Sequence, residues 1–482
     1  MHHDFISFQP HHYNFNNIKN IIIFREKMSQ HVKDIQLNPV KSTIIISIPI
    51  IVLLFLDALY CVIDLYWIDG LGASAVICMG YIANFIYTLN KLGDGIGRSA
   101  NVLISTAFGA GEIEKTEEYA EQGLLLILAI SIIIPIISIP FIKPICVMAN
   151  IGEYSNMIYA YLAPSLGFII LIMMNNYFSA ILGSEGDTKR ATLIIIAGNI
   201  LNIVLDPILI FHLKMGMLGA GFATMIGCGL SFILFIYLYS IRKDTLVKIR
   251  IKGFNIDTKI LKEIIILAIP IILDGVILSF LGIVVTYCLN IYATPIAVFA
   301  YIIMLNIQTT VFTPVQGISK GLCIVTGHLA GAKRFIELRM TIRKIFTLGL
   351  ILAVLIALLL AIFHNPIISL FSSEYLVVRE VRNMLMFVVI CIITFPIIMG
   401  CSFVFLGLEK SLYTLIFIIV NLVTLVTFIA IFTHILGMSS FGVFLAVALS
   451  NIIEATAMLL VLRKMLNTRI ATYETVNEAQ MA

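Results

Sequence analysis

Two stripes of polar side chains interrupt long apolar stretches in the first half of the chain. In each stripe the spacing i, i+3, i+7 puts all three members on one helical face. The stripes are Asp57, Tyr60 and Asp64, and Asn199, Asn202 and Asp206. Two carboxylates that face one space cannot both ionise cheaply, so either one takes a proton or a cation lies between them. These residues therefore predict reversible binding of a proton or a small hard cation.

Further oxygen ligands for such an ion lie near the second stripe. Pro207 follows Asp206, and its ring pushes away the carbonyl of Ile203, which leaves that oxygen free. The segment GAGFATMIGCG adds the Thr224 hydroxyl among small residues that permit close helix packing. Na⁺ prefers oxygen ligands, so we predict a Na⁺ or H⁺ site. Its predicted ligands are Asp64, Asn202, Asp206 and Thr224. The alternative is that these side chains only hydrogen-bond neighbouring helices.

Other polar residues within apolar stretches are weaker candidates. Substrate contacts or steps of a proton relay are predicted at Asp57, Tyr60, Asn199, Asn176 and Asp274. Glu454, isolated in its apolar stretch, is a further candidate for a substrate contact. Lys91, Asp94 and Arg98 also share one helical face, which we interpret as a solvated ion-pair face near the cytoplasmic end of a helix.

The composition defines the elements that must position these residues. The chain has 482 residues, of which 60% are hydrophobic and 12% charged, and its mean hydropathy is +1.05. Soluble chains carry about 25% charged residues, so a polytopic membrane protein is predicted. The apolar stretches are too long and too uniform for a β-barrel. The predicted fold is therefore all-α, because each span must satisfy its own backbone polar groups.

The apolar stretches predict twelve transmembrane helices. Their ranges are 42–68, 73–107, 118–142, 154–184, 190–212, 216–241, 260–290, 296–330, 341–363, 374–408, 411–433 and 441–463. The connections on one side carry 17 of the 31 lysines and arginines, the two tails on that side carry eight, and the opposite connections carry four. This excess places both termini in the cytoplasm, in a cell membrane.

The chain also repeats itself. The segment GIGRSANVLISTAFGAG at 95–111 aligns without gaps to GISKGLCIVTGHLAGAK at 317–333. Six helices separate the two copies, so the halves have the same topology and a pseudo-two-fold axis along the membrane normal. Two six-helix lobes that face each other across a cleft are typical of transporters that work by alternating access.

The predicted organisation has five parts. These are an N-terminal cytoplasmic tail (1–41), an N-lobe (42–241), a cytoplasmic inter-lobe linker (242–259), a C-lobe (260–463) and a C-terminal cytoplasmic tail (464–482). Met28 is an alternative start of translation. The eight cysteines form no CxxC pair and are interpreted as small buried hydrophobic residues.

Several motifs together resemble the multidrug and toxic compound extrusion (MATE) family, and most closely its archaeal and DinF-like branch. They are LYCVIDLYWIDGLG, ILGSEGDTKRA, NILNIVLDPILIF followed by MGMLGAGFATM, and FGAG. The resemblance spans about residues 35 to 465. It implies twelve helices in two lobes and efflux driven by Na⁺ or H⁺. It also implies that the four predicted ligands match the family's cation-site positions, with Tyr60 beside them. Asp57 departs from the pattern as an extra acid, and no acid lies midway along the tenth predicted helix.

From these observations we expect an antiporter that exports organic compounds, often cationic and amphipathic, in exchange for Na⁺ or H⁺. Its expected partners are the small-molecule substrate, the coupling ion and the lipid bilayer. We expect no cofactor, no nucleic acid and a monomer. The alternative is a flippase for lipid-linked precursors or polysaccharides from the same superfamily. Such a flippase needs a cationic central cavity, whereas the basic residues here are expected mostly at the connections.

An enzyme is not expected. A membrane-embedded transferase would need a metal-binding acid cluster such as DDxxD, or a nucleophile with its base, and the sequence contains neither. The GSEGDTKRA segment lacks the Walker spacing, so nucleotide binding is not expected either. A channel is a remaining alternative, against which the two-lobe repeat favours alternating access.

Overall fold

The computed structural model describes residues 32–249, 256–369 and 374–481, together with all side chains in those ranges except Asn84 and 476–481. All regular structure in these ranges is helical, as predicted. The alternative start at Met28, residues 1–31 of the predicted tail and residues 250–255 of the predicted linker lie outside the described residues.

The helices follow the predicted spans closely, and we number them to match. They are α1 (Pro39–Asp69), α2 (Ala73–Ala110), α3 (Ile113–Met148), α4a (Ser155–Gly167), α4b (Ile169–Ser184), α5 (Thr188–Pro207), α6 (Met217–Ile236), α7 (Thr258–Tyr292), α8 (Pro295–Gly331), α9 (Phe335–Ser369), α10 (Tyr375–Gly407), α11 (Ser411–Ile429) and α12 (Ser440–Met481). Short π-helical segments, Ile208–His212, Tyr237–Arg242 and Ala430–Ile435, extend α5, α6 and α11. The last helix continues to Met481, well beyond the span end predicted at residue 463.

The prediction of twelve spans is confirmed. Within the described ranges, eleven helices are long and apolar enough to cross a membrane. The count becomes twelve when the bent pair α4a and α4b, which meet at 51°, is taken as one span. Phe168 separates the two halves of that span with non-helical backbone angles.

Side-chain caps explain where several helices begin. Asp187, Asp257 and Thr294 precede α5, α7 and α8, and each accepts a hydrogen bond from a backbone N–H two or three residues later. Pro295 takes the first position of α8, where its missing N–H costs nothing. These caps satisfy N–H groups at the helix starts that lack a partner within the helix.

The internal repeat is visible in the helices. The π-helical segments that extend α5 and α11 begin at Ile208 and Ala430, which are equivalent positions in the register of the sequence repeat. One apolar core lies mainly within α1–α6 and another within α7–α12. The two lobes of six spans agree with the predicted fold class.

The lobes meet where α1 begins and α2 and α8 end, a face that we call the tail side. Gly109 of α2 and Gly331 of α8 cross so closely that a Cβ on Gly109 would overlap the carbonyl oxygen of His328. A Cβ on Gly331 would overlap the carbonyl oxygen of Thr106. A ring nitrogen of His328 also lies 2.9 Å from the carbonyl oxygen of Ser184 in the other lobe. The cleft between the lobes is therefore closed on the tail side.

Candidate cation site and central cavity

The predicted ligands come together inside the N-lobe, in a group that we call the cation cluster (Asp64, Asn202, Asp206 and Thr224). Asp64 is 5% exposed, Asn202 2% and Asp206 fully buried. The two carboxylates are close enough to interact electrostatically. One acid of this shared interior space thus comes from α1, and the other acid and an amide come from α5.

Small residues allow α6 to add its hydroxyl to this group. A Cβ on Gly227 of α6 would lie 2.6 Å from the carbonyl oxygen of Gly198 in α5 and 3.0 Å from the Cβ of Asn202. At this close approach the Asn202 amide nitrogen lies 3.4 Å from the Thr224 hydroxyl, to which it donates. Thr224 in turn donates to the carbonyl oxygen of Ala220 at 3.0 Å. The glycines of the GAGFATMIGCG segment therefore bring Thr224 against Asn202, as the sequence predicted.

Among the residues that the structure describes, four oxygen atoms of the cluster are buried without a hydrogen-bond donor. They are Oδ1 of Asp64, both carboxylate oxygens of Asp206 and Oδ1 of Asn202. Leaving a buried acceptor unpaired is costly, by about 1–3 kcal/mol each and more for a charged group. A proton on one carboxylate, or a hard cation bound by these oxygens, removes that cost. The residues present therefore fit a Na⁺ ion or a proton.

A neighbour of the cation cluster that the sequence analysis missed is Tyr161 of α4a. Its hydroxyl lies 3.5 Å from the Thr224 hydroxyl, and the side chain is 3% exposed. Tyr60 of α1, a predicted relay residue, interacts electrostatically with both Tyr161 and Asp64. The only sequence signal for Tyr161 was a hydroxyl within an apolar span, because no spacing relates α4a to α5 or α6.

Asp57 and Asn199, the first members of the two stripes, lie apart from this cluster. The Asn199 amide donates to Oδ1 of Asp57 at 2.9 Å, which joins α1 to α5. Asp57 also lines the cavity between the lobes. The two stripes thus meet twice, at the cavity through Asp57 and at the cation cluster through Asp64.

The space between the lobes, which we call the central cavity, has a volume of about 350 Å³. It is lined by residues of α1, α2, α4b, α5, α8 and α10. Asn176, a predicted relay residue, lines it beside apolar residues of α1. The charged lining residues are Asp57, Lys91, Asp94, Arg98 and Lys320.

Two interpretations from the sequence are therefore wrong. Lys91, Asp94 and Arg98 do not form a solvated face near a helix end, because they lie in the middle of α2 and line the central cavity. Lys320 is one of the 17 basic residues that the sequence analysis assigned to connections, but it lies within α8, well before that helix ends at Gly331, and lines the same cavity. The local composition did not indicate a position within the membrane, because each of these cations lies next to polar residues or glycines.

The α2 cluster is an ion-paired group around Asp94. Arg98 binds Asp94 through two nitrogens, with Nε 2.9 Å from Oδ1 and a terminal nitrogen 2.6 Å from Oδ2. The Lys91 ammonium lies 4.0 Å from Asp94 Oδ2. The two basic heads stack on aromatic rings, Lys91 over Tyr87 at 4.7 Å and Arg98 over Phe403 at 5.2 Å. Both oxygens of Asp94 are thus taken by Arg98.

The two candidate acids of the C-lobe, Asp274 and Glu454, interact electrostatically with each other but have different direct partners. Asp274 of α7 interacts electrostatically with Arg98 and Lys91, so it faces the same interface as the α2 cluster. The sequence suggested that Glu454 of α12 is isolated, but it accepts a hydrogen bond from the Asn421 amide at 2.9 Å. Glu454 therefore links α12 to α11.

Comparisons with known proteins agree with this architecture. The MatE family model matches residues 49–208 and 270–432. The multidrug export protein MepA of Staphylococcus aureus is 24% identical over 372 residues, which is 76% of this chain and 80% of that protein.

Solved structures are also similar. An outward-facing multidrug resistance MATE family transporter of the MOP superfamily is 25% identical, with a TM-score of 0.86 over 89% of this chain and 96% of that one. A MOP superfamily transporter from Pyrococcus furiosus is described as having a binding pocket of reverse polarity that suggests a different function. It is 25% identical, with a TM-score of 0.85 over the same shares of the two chains.

Proposed function

The chain belongs to the multidrug and toxic compound extrusion (MatE) family, and we propose that it exports organic compounds in exchange for Na⁺ or H⁺ by alternating access. The observation that carries this proposal is the set of four buried, unpaired oxygens in the cation cluster. A transporter driven by an ion gradient needs a site that binds and releases a small cation, and these oxygens supply its ligands.

Helix α1 connects the ion to the substrate. Asp57 lines the central cavity and Asp64 belongs to the cation cluster, and seven residues of helix, about 10 Å, separate them. An ion bound at Asp64 and Asp206 pulls the outer half of α1 towards α5. That movement changes the wall of the cavity at Asp57, where Asn199 joins the same two helices.

Ion and substrate compete through conformation rather than by contact. An ion can shift the equilibrium between two conformations only if its affinity for them differs. The cation cluster provides that difference, because its ligands come from α1, α5 and α6 and separate when α1 moves. Ion binding from outside then favours the conformation that has low affinity for the substrate, which is released.

The test uses purified protein in proteoliposomes with Na⁺ and pH gradients imposed independently. Asp64→Asn and Asp206→Asn should each abolish gradient-driven drug efflux, since each variant loses one of the two carboxylates that hold the ion together. Asp69→Asn, an exposed acid at the end of α1, is the matched control and should transport normally. Full coupled transport in both cluster variants would contradict the proposal. The gradient that drives the wild type identifies the coupling ion.

One observation supports the alternative function, a flippase for lipid-linked precursors. The central cavity holds Lys91, Arg98 and Lys320, so the expectation that the basic residues lie mostly at the connections no longer argues against a flippase. Antiport is still favoured, because the same cavity also holds Asp57 and Asp94, and because the cation cluster has no purpose in a flippase that uses no ion gradient.

The remaining features of the proposal concern the setting of the protein. We propose a cell membrane location with both tails cytoplasmic, because Lys and Arg are concentrated on the tail side. A Lys248→Cys variant should react with a membrane-impermeant thiol reagent only in inside-out vesicles. We expect a monomer without cofactor or catalytic activity, since one chain supplies both walls of the cavity.

A further inference from the structure

In the described residues, one lysine lines the central cavity without a direct ion pair. Lys320 of α8 lines the central cavity and makes no hydrogen bond or ion pair within the part of the chain that the structure describes. A charged side chain within a membrane span is costly unless it has a partner or a function. Asp94 and Asp57 act on this ammonium electrostatically, but neither forms an ion pair or hydrogen bond with it in the described residues, so a ligand of the cavity can supply the direct partner.

The acids of the cavity act on this lysine electrostatically, but their closest partners are other side chains. Both oxygens of Asp94 bind the Arg98 guanidinium, and Oδ1 of Asp57 accepts from Asn199. Lys91 adds a further cation 4.0 Å from Asp94. The charged lining therefore has three cations and two acids, and the excess positive charge includes the Lys320 ammonium, which neither acid contacts directly.

The internal repeat gives this arrangement a symmetric origin. Arg98 and Lys320 occupy equivalent positions in the two aligned copies of the repeat. Each lobe thus contributes a basic side chain at the equivalent position, Arg98 from α2 and Lys320 from α8, and α2 adds Lys91. A ligand held by both would bridge the two lobes.

From this geometry we propose that the central cavity recognises amphipathic compounds that carry an acidic group, whose carboxylate or phosphate-type oxygens bind the Lys320 ammonium beside Arg98. The inference rests on the proposed function, because it names the substrate class of the same cleft. Ile50, Leu53 and Leu54 of α1 supply an apolar wall for the rest of the molecule. A volume of about 350 Å³ suits a small organic molecule.

The test compares two dyes that differ in one group. Rhodamine 19 carries a free carboxylate and rhodamine 6G is its ethyl ester, and both keep the same cationic xanthene. Binding is measured by fluorescence anisotropy on the purified full chain in neutral detergent. The wild type should bind the acid more tightly than the ester. Lys320→Met should weaken binding of the acid at least about tenfold and change binding of the ester less than about twofold.

Two further variants separate recognition from folding. Lys320→Arg keeps the positive charge and should retain the preference for the acid. Lys344→Met removes an exposed lysine from α9 and should leave both affinities unchanged. Three results would overturn the inference: no measurable binding of the acid by the wild type, equal or tighter binding of the ester, or an equal loss of both dyes in Lys320→Met.

A competition arm identifies the source of the acidic group. Dihexanoyl phosphatidic acid that displaces rhodamine 19 where dihexanoyl phosphatidylcholine does not would support the site and assign it to a lipid headgroup. If neither lipid displaces the dye, the site is assigned to free organic acids. Binding in detergent needs no ion gradient, so a failure of coupled transport would contradict the proposed antiport without touching this inference.

Discussion

Asp57 and Asp206 are buried or half-buried acids of two adjacent helices, but their hydrogen bonding differs. Asp57 receives a hydrogen bond from Asn199, whereas neither oxygen of Asp206 has a donor although the residue is fully buried. A purely structural role would satisfy both acids in the same way, because unpaired buried acceptors destabilise the fold. The difference between them supports ion binding at Asp206 and not at Asp57.

Tyr161 gives a prediction at the level of one atom. Tyr161→Phe removes the hydroxyl that lies 3.5 Å from Thr224 Oγ1 and keeps the ring that fills the core. We expect the affinity for the coupling ion to fall severalfold with unchanged drug binding, because the lost hydroxyl positions a cluster ligand. The dependence of efflux on ion concentration in proteoliposomes measures the change in ion affinity. Tyr159→Phe, in the same helix but next to Lys143, is the control, and an equal effect there would refute the assignment.

Glycines set the closest approach of helices between the lobes. Gly109→Ala would place a methyl group against the carbonyl of His328 and open the tail-side contact between α2 and α8. We expect a loss of about 1–3 kcal/mol in the free energy of unfolding of the tail-side-closed form. We also expect faster thiol labelling of Ser105→Cys, which lies in that contact.

The matched control for this change is Gly282→Ala in α7. A Cβ at Gly282 meets nothing within 4 Å, and alanine favours the helix by about 1 kcal/mol. This variant should therefore leave the labelling rate unchanged. If Gly109→Ala labels at the wild-type rate, the contact does not close the cleft.

The connection between α4b and α5 is hydrogen-bonded to the start of the inter-lobe linker. Glu185 is 1% exposed and accepts hydrogen bonds from the backbone N–H groups of Leu246 and Val247 at 3.0 and 2.9 Å. Burial raises the pKa of Glu185 to about 8, against the lowering effect of these N–H groups and of Arg190. The folded state thus holds this proton more tightly than the unfolded state, in which the pKa has its ordinary value.

Stability should therefore fall as the pH rises from the ordinary carboxyl range through about 8. We expect Glu185→Gln, which carries no titrating proton, to flatten this dependence. Thermal unfolding in detergent between about pH 5 and pH 9 measures it for both proteins. Asp187 and Tyr239 also interact with Glu185, and neither changes in the variant. Parallel curves for the two proteins would show that Glu185 does not titrate in this range.

At the scale of the whole molecule, alternating access requires the two lobes to separate on the tail side. Helix α8 packs on α1 there, and a Cβ on Gly321 would lie 3.3 Å from the Cβ of Ser47. That separation is close to the range of a disulfide, in which the Cβ atoms lie about 3.5–4.5 Å apart. A cross-link between these positions would tie the lobes together.

We expect the double variant Ser47→Cys and Gly321→Cys to lose transport after oxidation and to regain it on reduction. Efflux from proteoliposomes before and after reductant measures this. The two single variants, treated in the same way, control for oxidation of native cysteines such as the exposed Cys61. Full transport by the cross-linked protein would mean that the lobes need not separate at this contact.

The sequence by itself determined the number of spans, the two-lobe repeat and the polar stripes that supply the candidate ligands of the cation cluster. Those features depend on hydrophobic length and on helical periodicity, which are local properties. The spacing of Asp57, Tyr60 and Asp64 already placed them on one face, and only a helix had to form for that to hold.

Only the tertiary structure decided which side chains from different helices meet. It joined Tyr161 to Thr224, paired Asn199 with Asp57 rather than with the cluster, and turned Lys320 into the central cavity. No spacing along the chain encodes these contacts, because they depend on the bend at Phe168, on glycine-mediated helix crossings and on how the two lobes close.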